Sequence, residues 1–273
     1  MSAPDRYVVI GNPIAHSKSP QIHARFAEQT GQQISYERLL APVDAFEQTV
    51  KSFIASGGRG ANVTVPFKLD AFRFAHELSP RAQAAGAVNT LHVREGKVFG
   101  DNTDGVGLVR DIVEAAGVQL RGKRLLLLGA GGAARGVILP LLAESPARMA
   151  IANRTRERAA ELAAQFSGAA VPIEACSIEN LNATFDVVIN ATSASLSSEL
   201  PPVPDSVFGD HSFVYDMMYA AQPTPFMQLA VRHGATVRDG LGMLVEQAAE
   251  SFFIWRGVRP QTAPVYDWLR SQL

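Results

Sequence analysis

Lys68 is the residue whose type and position most directly indicate chemistry. It follows the strand-like segment NVTV and falls in the first turn of a helix predicted to open at Pro66. The positive end of a helix dipole disfavours a cation there by a few tenths of a kcal/mol to about 1 kcal/mol. A lysine kept in such a place without an evident structural partner indicates a chemical role. A solvated surface lysine explains the position equally well, and both interpretations stay open.

Asp104 is a second ionisable residue at a predicted helix start, in the segment GDNTDG. An acid at a helix N-terminus also complements the dipole, so its position is ambiguous in the same way as that of Lys68. Together with Asp101 it could indicate a metal ion. No further cluster of ligands follows in the sequence, and we therefore reject a metal site.

Short polar side chains form two further groups. Ser17 and Ser19 flank Lys18 in a loop that leads into a predicted helix, where hydroxyl donors and helix N–H groups suit a small carboxylate. Ser19 alone is better explained as the helix N-cap. Asn62 and Thr64 alternate along a predicted strand, so both point to one face near its end, which suggests recognition of substrate hydroxyl groups.

The glycine-rich segment LLLLGAGGAARG indicates a dinucleotide site. Gly129 and Gly131 directly follow a predicted buried strand, and Ala134 holds the third position of the motif where a helix begins. The first glycine makes the tight turn, the second lets a pyrophosphate approach the backbone, and a small third residue lets the helix pack on the strand. A tight turn without a ligand is the alternative.

The end of the next predicted strand decides which dinucleotide is expected. An NAD site usually carries an acid there for the ribose hydroxyls, whereas this chain has Asn153-Arg154-Thr155, followed by Arg156 and Arg158. An arginine pairs well with a 2′-phosphate, so the sequence predicts NADP, with Arg154 as the strongest contact. A solvated basic helix face is the alternative, because Glu157 and Glu161 lie among these arginines.

Two series of alternating strands and helices position these residues, which predicts parallel β-α-β units. We place the boundary near residue 105 and expect the C-terminal helices to pack back on the first domain. The predicted domains are an α/β substrate domain with a mainly parallel sheet, residues 1–104 plus 241–273, and a Rossmann-type NADP-binding domain, residues 105–240. The predicted strands cover residues 7–10, 34–40, 61–65, 123–128, 149–152, 187–191, 214–217 and 235–237, with a hairpin over 90–100. The predicted helices start at residues 19, 44, 66, 103, 133, 155, 241 and 262.

Composition excludes several classes of protein. The chain has 273 residues, a net charge of −1 and 47% hydrophobic residues, which is typical of a globular protein and offers no field to attract a polyanion. We therefore expect neither nucleic acid nor a membrane as a partner. The single cysteine, Cys176, fits a reducing compartment. With no signal peptide and no long apolar segment in the sequence, we expect a cytoplasmic location.

The ordered motifs GNPIAHSKSP, NVTVPFK, GAVNTL, GDNTDG, GAGGAARG, NRT, YDMMY and DGLGMLVEQA resemble those of the shikimate dehydrogenase family, over essentially the whole chain. The resemblance implies NADPH-dependent reduction of 3-dehydroshikimate in aromatic amino-acid biosynthesis, at an active site in the cleft between two domains. It implies Lys68 and Asp104 as the catalytic pair. The residues that it places around the substrate are Ser17, Ser19, Asn62, Thr64, Asn89, Tyr219 and Gln247.

The expected cofactor contacts follow the glycine loop, the NRT segment and the ends of later strands. They are Gly129, Ala130, Gly131, Gly132, Ala133, Asn153, Arg154, Thr155, Arg158, Thr192, Met217 and Gly240. Ala134 and Ser195 depart from the serine and glycine that are frequent in the family. A quinate or dual-specificity dehydrogenase and a catalytically silent NADP sensor are the competing interpretations. The oligomeric state is expected to be a monomer or a homodimer.

Overall fold

The computed structural model of the chain describes residues 3–192, 194 and 200–273. The chain divides into two compact units. The first comprises Met1–Gly107 and Leu244–Trp268, and the second comprises Leu108–Met243 and Leu269–Leu273. Each unit contains one six-stranded sheet, so the two-domain α/β architecture expected from the sequence is confirmed.

The strands and helices are numbered in chain order. The strands are β1 (Asp5–Gly11), β2 (Ile34–Leu40), β3 (Gly58–Val63), β4 (Glu77–Leu78), β5 (Thr90–Arg94), β6 (Lys97–Asp101), β7 (Arg124–Leu128), β8 (Arg148–Asn153), β9 (Ile173–Ser177), β10 (Val187–Asn190), β11 (Phe213–Asp216) and β12 (Thr236–Asp239). The helices are α1 (Ser19–Thr30), α2 (Phe46–Ala55), α3 (Lys68–Phe74), α4 (Pro80–Ala85), α5 (Asp104–Arg110), α6 (Gly132–Ala143), α7 (Arg156–Ala164), α8 (Pro225–Arg232), α9 (Leu241–Arg256) and α10 (Ala263–Arg270).

The sheet of the first unit is mixed, with the order β2-β1-β3-β5-β6-β4. Strands β1, β2 and β3 are parallel, while β5 pairs antiparallel with both β3 and β6. The predicted hairpin is confirmed: Glu95 and Gly96, with φ of 51° and 76°, form the two-residue turn between β5 and β6. Lys68 follows the end of β3 along the chain, and Asp104 follows the end of β6.

Phe67 anchors the start of α3 in the core of the first unit. Its side chain is fully buried and stacks on Phe46 of α2, with ring centroids 5.0 Å apart. Because the next residue along the chain is Lys68, burial of this ring fixes the lysine backbone while the side chain extends outward. On α9, Trp255 closes the same unit by stacking on Tyr7 of β1 at 4.6 Å and by donating from Nε1 to the carbonyl of Leu91.

The second unit is a doubly wound, entirely parallel sheet with the order β12-β11-β10-β7-β8-β9. Strand β7 shows why its sequence is apolar throughout. Leu125 and Leu127 belong to the core on one face, and Leu126 and Leu128 belong to the core on the other face. A strand covered on both faces has no solvent-facing side, which explains the uninterrupted leucines.

Several predicted boundaries are wrong. Ser19 is the first residue of α1 rather than its N-cap, and no side chain caps this helix. Helix α3 begins at Lys68 rather than at Pro66, and β3 ends at Val63, which leaves Thr64 in the connecting turn. The predicted helix from 103 to 117 is α5 followed by a π-helical segment, Asp111–Ala115. Strands β4 and β9 and helices α4 and α8 were not predicted.

Within the described part of the chain, every helix is too short or too polar to cross a lipid bilayer.

Candidate functional site

Lys68 and Asp104 form a close ion pair in the first unit. The lysine Nζ lies 2.5 Å from Oδ2 of Asp104, although the two residues are 36 positions apart in sequence. The two side chains are 32% and 19% exposed, respectively, so both are partly open to solvent. The ends of two different strands therefore deliver a cation and a carboxylate to one accessible point, which is the arrangement needed to hold and transfer a proton.

Asn89 fixes the other oxygen of Asp104. Its Nδ2 donates to Oδ1 of Asp104 at 2.8 Å, and its Oδ1 accepts from the backbone N–H of Thr103 at 2.9 Å. Asn89 is only 3% exposed, so this amide is part of the protein interior. Oε1 of Gln247 on α9 lies 3.4 Å from both the Asn89 amide and the Thr103 hydroxyl. The structure thus brings Gln247 to the same cluster across a long stretch of sequence.

The predicted carboxylate segment lies beside α1. The Ser17 hydroxyl is 3.2 Å from the Ser19 hydroxyl and accepts from the Ser19 backbone N–H at 3.3 Å. The backbone donors at the start of α1 already have partners within the protein. Ser19 donates to the Ser17 hydroxyl, Gln21 and Ile22 both donate to the carbonyl of Lys18, and Pro20 has no N–H group. The Ser17 and Ser19 hydroxyls are therefore the donors at this segment that suit an anion.

Asn62 and Thr64 differ in their surroundings. Asn62 is buried on β3, with its amide bonded within the protein to Tyr36 and Ser251. Thr64 lies just beyond the strand, where its backbone N–H donates to the carbonyl of Ile10 at 2.9 Å. The two residues therefore do not form the single strand face that the sequence predicted, because β3 ends between them.

The glycine loop of the second unit has the geometry that a pyrophosphate requires. Gly129 has φ of 105°, and a Cβ there would lie 3.2 Å from the backbone of Ala191, so a side chain would be strained and crowded. At Gly131 and Gly132 a Cβ would meet no described atom within 4 Å, which leaves open space over the start of α6. No side chain caps α6, and Ala134 is completely buried against the sheet. This loop fits a bound dinucleotide.

The residues at the end of β8 suit a dinucleotide whose ribose carries a 2′-phosphate, rather than one with free ribose hydroxyls. Asn153 ends the strand and donates from Nδ2 to the carbonyl of Thr155 at 2.9 Å, which folds the NRT segment into a fixed turn. Thr155 is the N-cap of α7, but its side chain does not cap the helix. Arg154, Arg156 and Arg158 are exposed, and they take part in none of the ion pairs found among the described residues. Cations of this kind, beside an uncapped helix start, suit a 2′-phosphate.

The remaining predicted cofactor positions cluster at the ends of β10, β11 and β12. Asn190 accepts from both the backbone N–H and the hydroxyl of Thr192, at 3.1 and 2.7 Å. Gly240 is required by packing, because a Cβ there would lie 2.1 Å from the carbonyl oxygen of Met217. Tyr219 follows β11 in the second unit, and burial raises the pKa of its hydroxyl. Ser195 lies outside the described residues, so the expectation about its loop stays untested.

Sequence reasoning did not single out several residues of these clusters. Thr103 is adjacent to Asp104, and Ser251 lies one helical turn after Gln247, a spacing that places both side chains on one face of α9. Tyr36 and Arg38 alternate along a predicted strand, which could have indicated a shared face. In the described part of the chain, no group of three or more His, Cys, Asp or Glu residues is arranged to hold a metal ion.

A parallel, doubly wound sheet with this glycine loop, together with a lysine–carboxylate pair, defines a nicotinamide-dinucleotide-dependent oxidoreductase of the two-domain α/β class. The comparisons with known proteins agree. Residues 9–91 match the shikimate dehydrogenase substrate binding domain, residues 109–198 the shikimate/quinate 5-dehydrogenase family, and residues 240–270 the shikimate 5′-dehydrogenase C-terminal domain.

Relatives match over nearly the full length of the chain. A shikimate dehydrogenase (NADP(+)) of Janthinobacterium sp. (strain Marseille) is 63% identical over 269 residues, covering 98% of both chains. The crystal structure of an Ael1 enzyme from Pseudomonas putida has a TM-score of 0.94 at 48% identity, covering 97% of this chain and 98% of that one. Shikimate 5-dehydrogenase from Thermus thermophilus, solved with NADP(H) and shikimate, has a TM-score of 0.87 at 34% identity, covering 98% of this chain and 100% of that one. The chain belongs to the shikimate dehydrogenase family.

Proposed function

We propose that this protein catalyses the reversible, NADP(H)-dependent reduction of 3-dehydroshikimate to shikimate, a step of aromatic amino-acid biosynthesis. The observation that carries the proposal is the pair of Lys68 and Asp104, joined at 2.5 Å and partly open to solvent. A carbonyl reduction needs a proton donor beside the oxygen that gains negative charge, and a carboxylate-bound ammonium group supplies one.

Lys68 acts on the substrate oxygen. When bound, NADPH would supply the hydride for the carbonyl carbon, and the electron pair of the carbonyl π bond would then pass to the oxygen. The Lys68 ammonium stabilises this developing alkoxide and gives it a proton, which forms the hydroxyl of the product. In the reverse direction the neutral amine of Lys68 accepts that proton. Asp104 keeps the ammonium oriented, because Asn89 holds the second carboxylate oxygen in place.

The first unit binds the substrate in this proposal. Ser17 and Ser19 bind the carboxylate of the substrate with their hydroxyl groups as donors. The ring hydroxyls contact polar groups of the first unit that lie near the reacting oxygen. These contacts are assigned to Asn62, Thr64, Asn89, Asp104 and Gln247.

The second unit holds NADP(H). The loop from Gly129 to Ala133 receives the pyrophosphate over the start of α6, and Arg154, Thr155 and Arg158 bind the 2′-phosphate. Asn153 shapes that turn, and Thr192, Met217 and Gly240 complete the contacts at the ends of the later strands. The absence of an acid at the end of β8 supports NADP over NAD.

The proposal also covers the cellular compartment, the partners and the oligomeric state of the protein. One cysteine in the chain suits the reducing conditions of the cytoplasm. A net charge of −1 gives no support for a nucleic-acid partner. We propose that the enzyme acts there as a monomer or a homodimer.

Initial rates test the proposed function. Shikimate and quinate are each combined with NADP and NAD at several concentrations, and formation of reduced nicotinamide is followed by its absorbance. We expect kcat/KM to favour shikimate with NADP strongly. Comparable rates with quinate or NAD would replace the proposal by a dual-specificity dehydrogenase. Absence of turnover in all four pairs would overturn it in favour of a protein that binds NADP without catalysis.

A further inference from the structure

Strand β2 carries two side chains that reach the proposed substrate residues. Tyr36 and Arg38 are two positions apart on this edge strand, so their side chains leave the same face. The Tyr36 hydroxyl donates to Oδ1 of Asn62 at 2.7 Å. Nε and Nη2 of Arg38 both donate to the carbonyl of Ser17, at 3.0 and 2.6 Å.

The Tyr36 ring is fixed by aromatic packing. It stacks on His23 of α1 with ring centroids 4.2 Å apart and planes within 6°, and the Trp255 ring lies 6.2 Å away. Burial raises the pKa of Tyr36 well above its usual value, while a contact with the Ser19 side chain lowers it. The hydroxyl therefore stays protonated at neutral pH and remains a hydrogen-bond donor.

Asn62 links Tyr36 to the residues that hold the ion pair. With Oδ1 bonded to Tyr36, its Nδ2 points the other way and donates to the Ser251 hydroxyl at 2.9 Å. The same Nδ2 lies 3.3 Å from the backbone carbonyl of Asn89. Asn89 in turn holds Asp104. Reversing the Asn62 amide would turn its Oδ1 toward the Asn89 carbonyl, which can only accept. The carbonyl therefore sets the orientation of the amide, and the Tyr36 hydroxyl holds Oδ1 by donating to it.

Arg38 fixes the serine segment. Its two-point contact with the Ser17 carbonyl restrains the backbone of a residue whose hydroxyl already contacts Ser19. The guanidinium also adds positive charge beside the place proposed for the substrate carboxylate. An exposed arginine that directs both Nε and Nη2 at one backbone carbonyl is well explained by a need to hold that loop.

We propose that Tyr36 and Arg38 are positioning residues, which hold Asn62 and the Ser17–Ser19 segment in the geometry that binds the substrate. This inference rests on the proposed function, in which those serines bind the carboxylate. Neither side chain takes part in the chemical step, so their loss affects substrate binding far more than turnover.

The variants Tyr36→Phe and Arg38→Gln test the proposal in steady-state kinetics of the full-length enzyme. We expect each variant to raise KM for shikimate about ten-fold, the loss typical of one to two hydrogen bonds. We expect kcat within about two-fold of the wild type and KM for NADP unchanged, because neither side chain contacts the reacting pair or the glycine loop.

Matched controls lie on the neighbouring strand. Tyr7 is the register partner of Tyr36 on β1, and its hydroxyl faces Arg256 instead of Asn62. Arg6 donates to the carbonyl of Ser56 at 2.9 Å, which repeats the chemistry of Arg38 at another serine. Tyr7→Phe and Arg6→Gln should leave KM for shikimate unchanged.

An unchanged KM for shikimate in Tyr36→Phe and Arg38→Gln would overturn the positioning role. An equal rise in the controls would do the same, as would a joint loss of kcat, NADP affinity and melting temperature, which indicates a general structural defect. A wild-type enzyme that turned over no shikimate would instead overturn the proposed function on which the inference rests.

Discussion

Lys68 and Asp104 are joined at 2.5 Å, yet the lysine side chain remains 32% exposed. The carboxylate is less free, because Asn89 binds its second oxygen from the interior of the first unit. The Asp104 carboxylate is therefore held in place, whereas the Lys68 ammonium group is accessible from solvent. That division suits a reaction in which the ammonium group meets the substrate and the carboxylate keeps it in place.

Replacing the lysine tests this assignment. Lys68→Ala should lower kcat about 10²- to 10⁴-fold, the usual contribution of a positioned proton donor, with a much smaller change in KM. Steady-state rates with shikimate and NADP measure both constants. Lys51→Ala is a suitable control, because Lys51 also pairs with a carboxylate, that of Glu47, but on the exposed surface of α2. A kcat close to that of the wild type in Lys68→Ala would remove Lys68 from the mechanism.

The basic segment after β8 makes a prediction about cofactor choice. Arg154→Ala should raise KM for NADP about ten-fold or more, because one charge-assisted contact with the 2′-phosphate is lost, and should leave the use of NAD almost unchanged. The kinetic constants with both cofactors give the comparison. Arg148→Ala, at the opposite end of the same strand, should alter neither. Equal losses with NADP and NAD in Arg154→Ala would contradict a phosphate contact and indicate a folding defect.

His23 predicts how stability depends on pH. The ring is completely buried, neither nitrogen has a hydrogen-bond partner among the described residues, and burial lowers its pKa to about 3. In the unfolded chain a histidine titrates near pH 6.5. Below that value the unfolded state binds the extra proton and the folded state does not, so stability is lost as the pH falls from about 6.5 toward 3.

The size of this effect can be measured by urea unfolding at several pH values. Between pH 6.5 and 4.5, His23 alone should reduce the free energy of unfolding by about 2 kcal/mol. His23→Phe keeps an aromatic ring against Tyr36 and should flatten the pH dependence by that amount. Replacing the exposed His211 by Phe should leave the dependence as in the wild type. Parallel curves for wild type and His23→Phe would show that His23 is protonated in the folded state.

Gly242 gives a prediction about packing in the second unit. A Cβ at this position would lie 1.9 Å from Oδ1 of Asp111, a carboxylate locked by two bonds from Arg238 and one from the Tyr215 hydroxyl. Although alanine favours helices, Gly242→Ala should lower the free energy of unfolding by about 2 kcal/mol, because the buried carboxylate cannot move aside. Gly168→Ala, at an exposed site with open space, should be neutral or slightly stabilising. A neutral Gly242→Ala would mean that the Asp111 cluster is free to shift.

The parts of the fold that carry local signals were predictable from the sequence. Helix α9 starts at the predicted residue, Leu241, and the Glu95-Gly96 turn lies within the predicted hairpin. Strand β9 was missed because it is an edge strand whose side chains are mostly half-buried, which leaves no apolar run. Helix α4 is short, and its stability depends on the Ser79 cap and on packing rather than on periodicity.

The site was predictable only as separate pieces. The positions of Lys68, Asp104 and Ser17 near predicted helix starts indicate possible functional roles. No spacing in the sequence indicates that Lys68 and Asp104 form an ion pair. Without the family resemblance Gln247 is only a polar position on a helix, since 158 residues separate it from Asn89. Tyr36 carries no motif at all, and only the β1–β2 and β1–β3 registers bring it near Asn62.

The first unit is completed by residues from the far end of the chain, and this affects its synthesis. Ser251 bonds to Asn62 across 189 positions, and Trp255 bonds to Leu91 across 164. During translation, the strands of the first sheet are synthesised before α9, which supplies the partners of their buried polar side chains. The central strands of the second sheet are closer together in sequence, so their contacts can form earlier relative to their synthesis. Until α9 is made, Asn62 and Thr90 remain exposed to water. Most of the first unit is therefore translated ahead of the second, yet its polar cluster is completed only after α9 has been made.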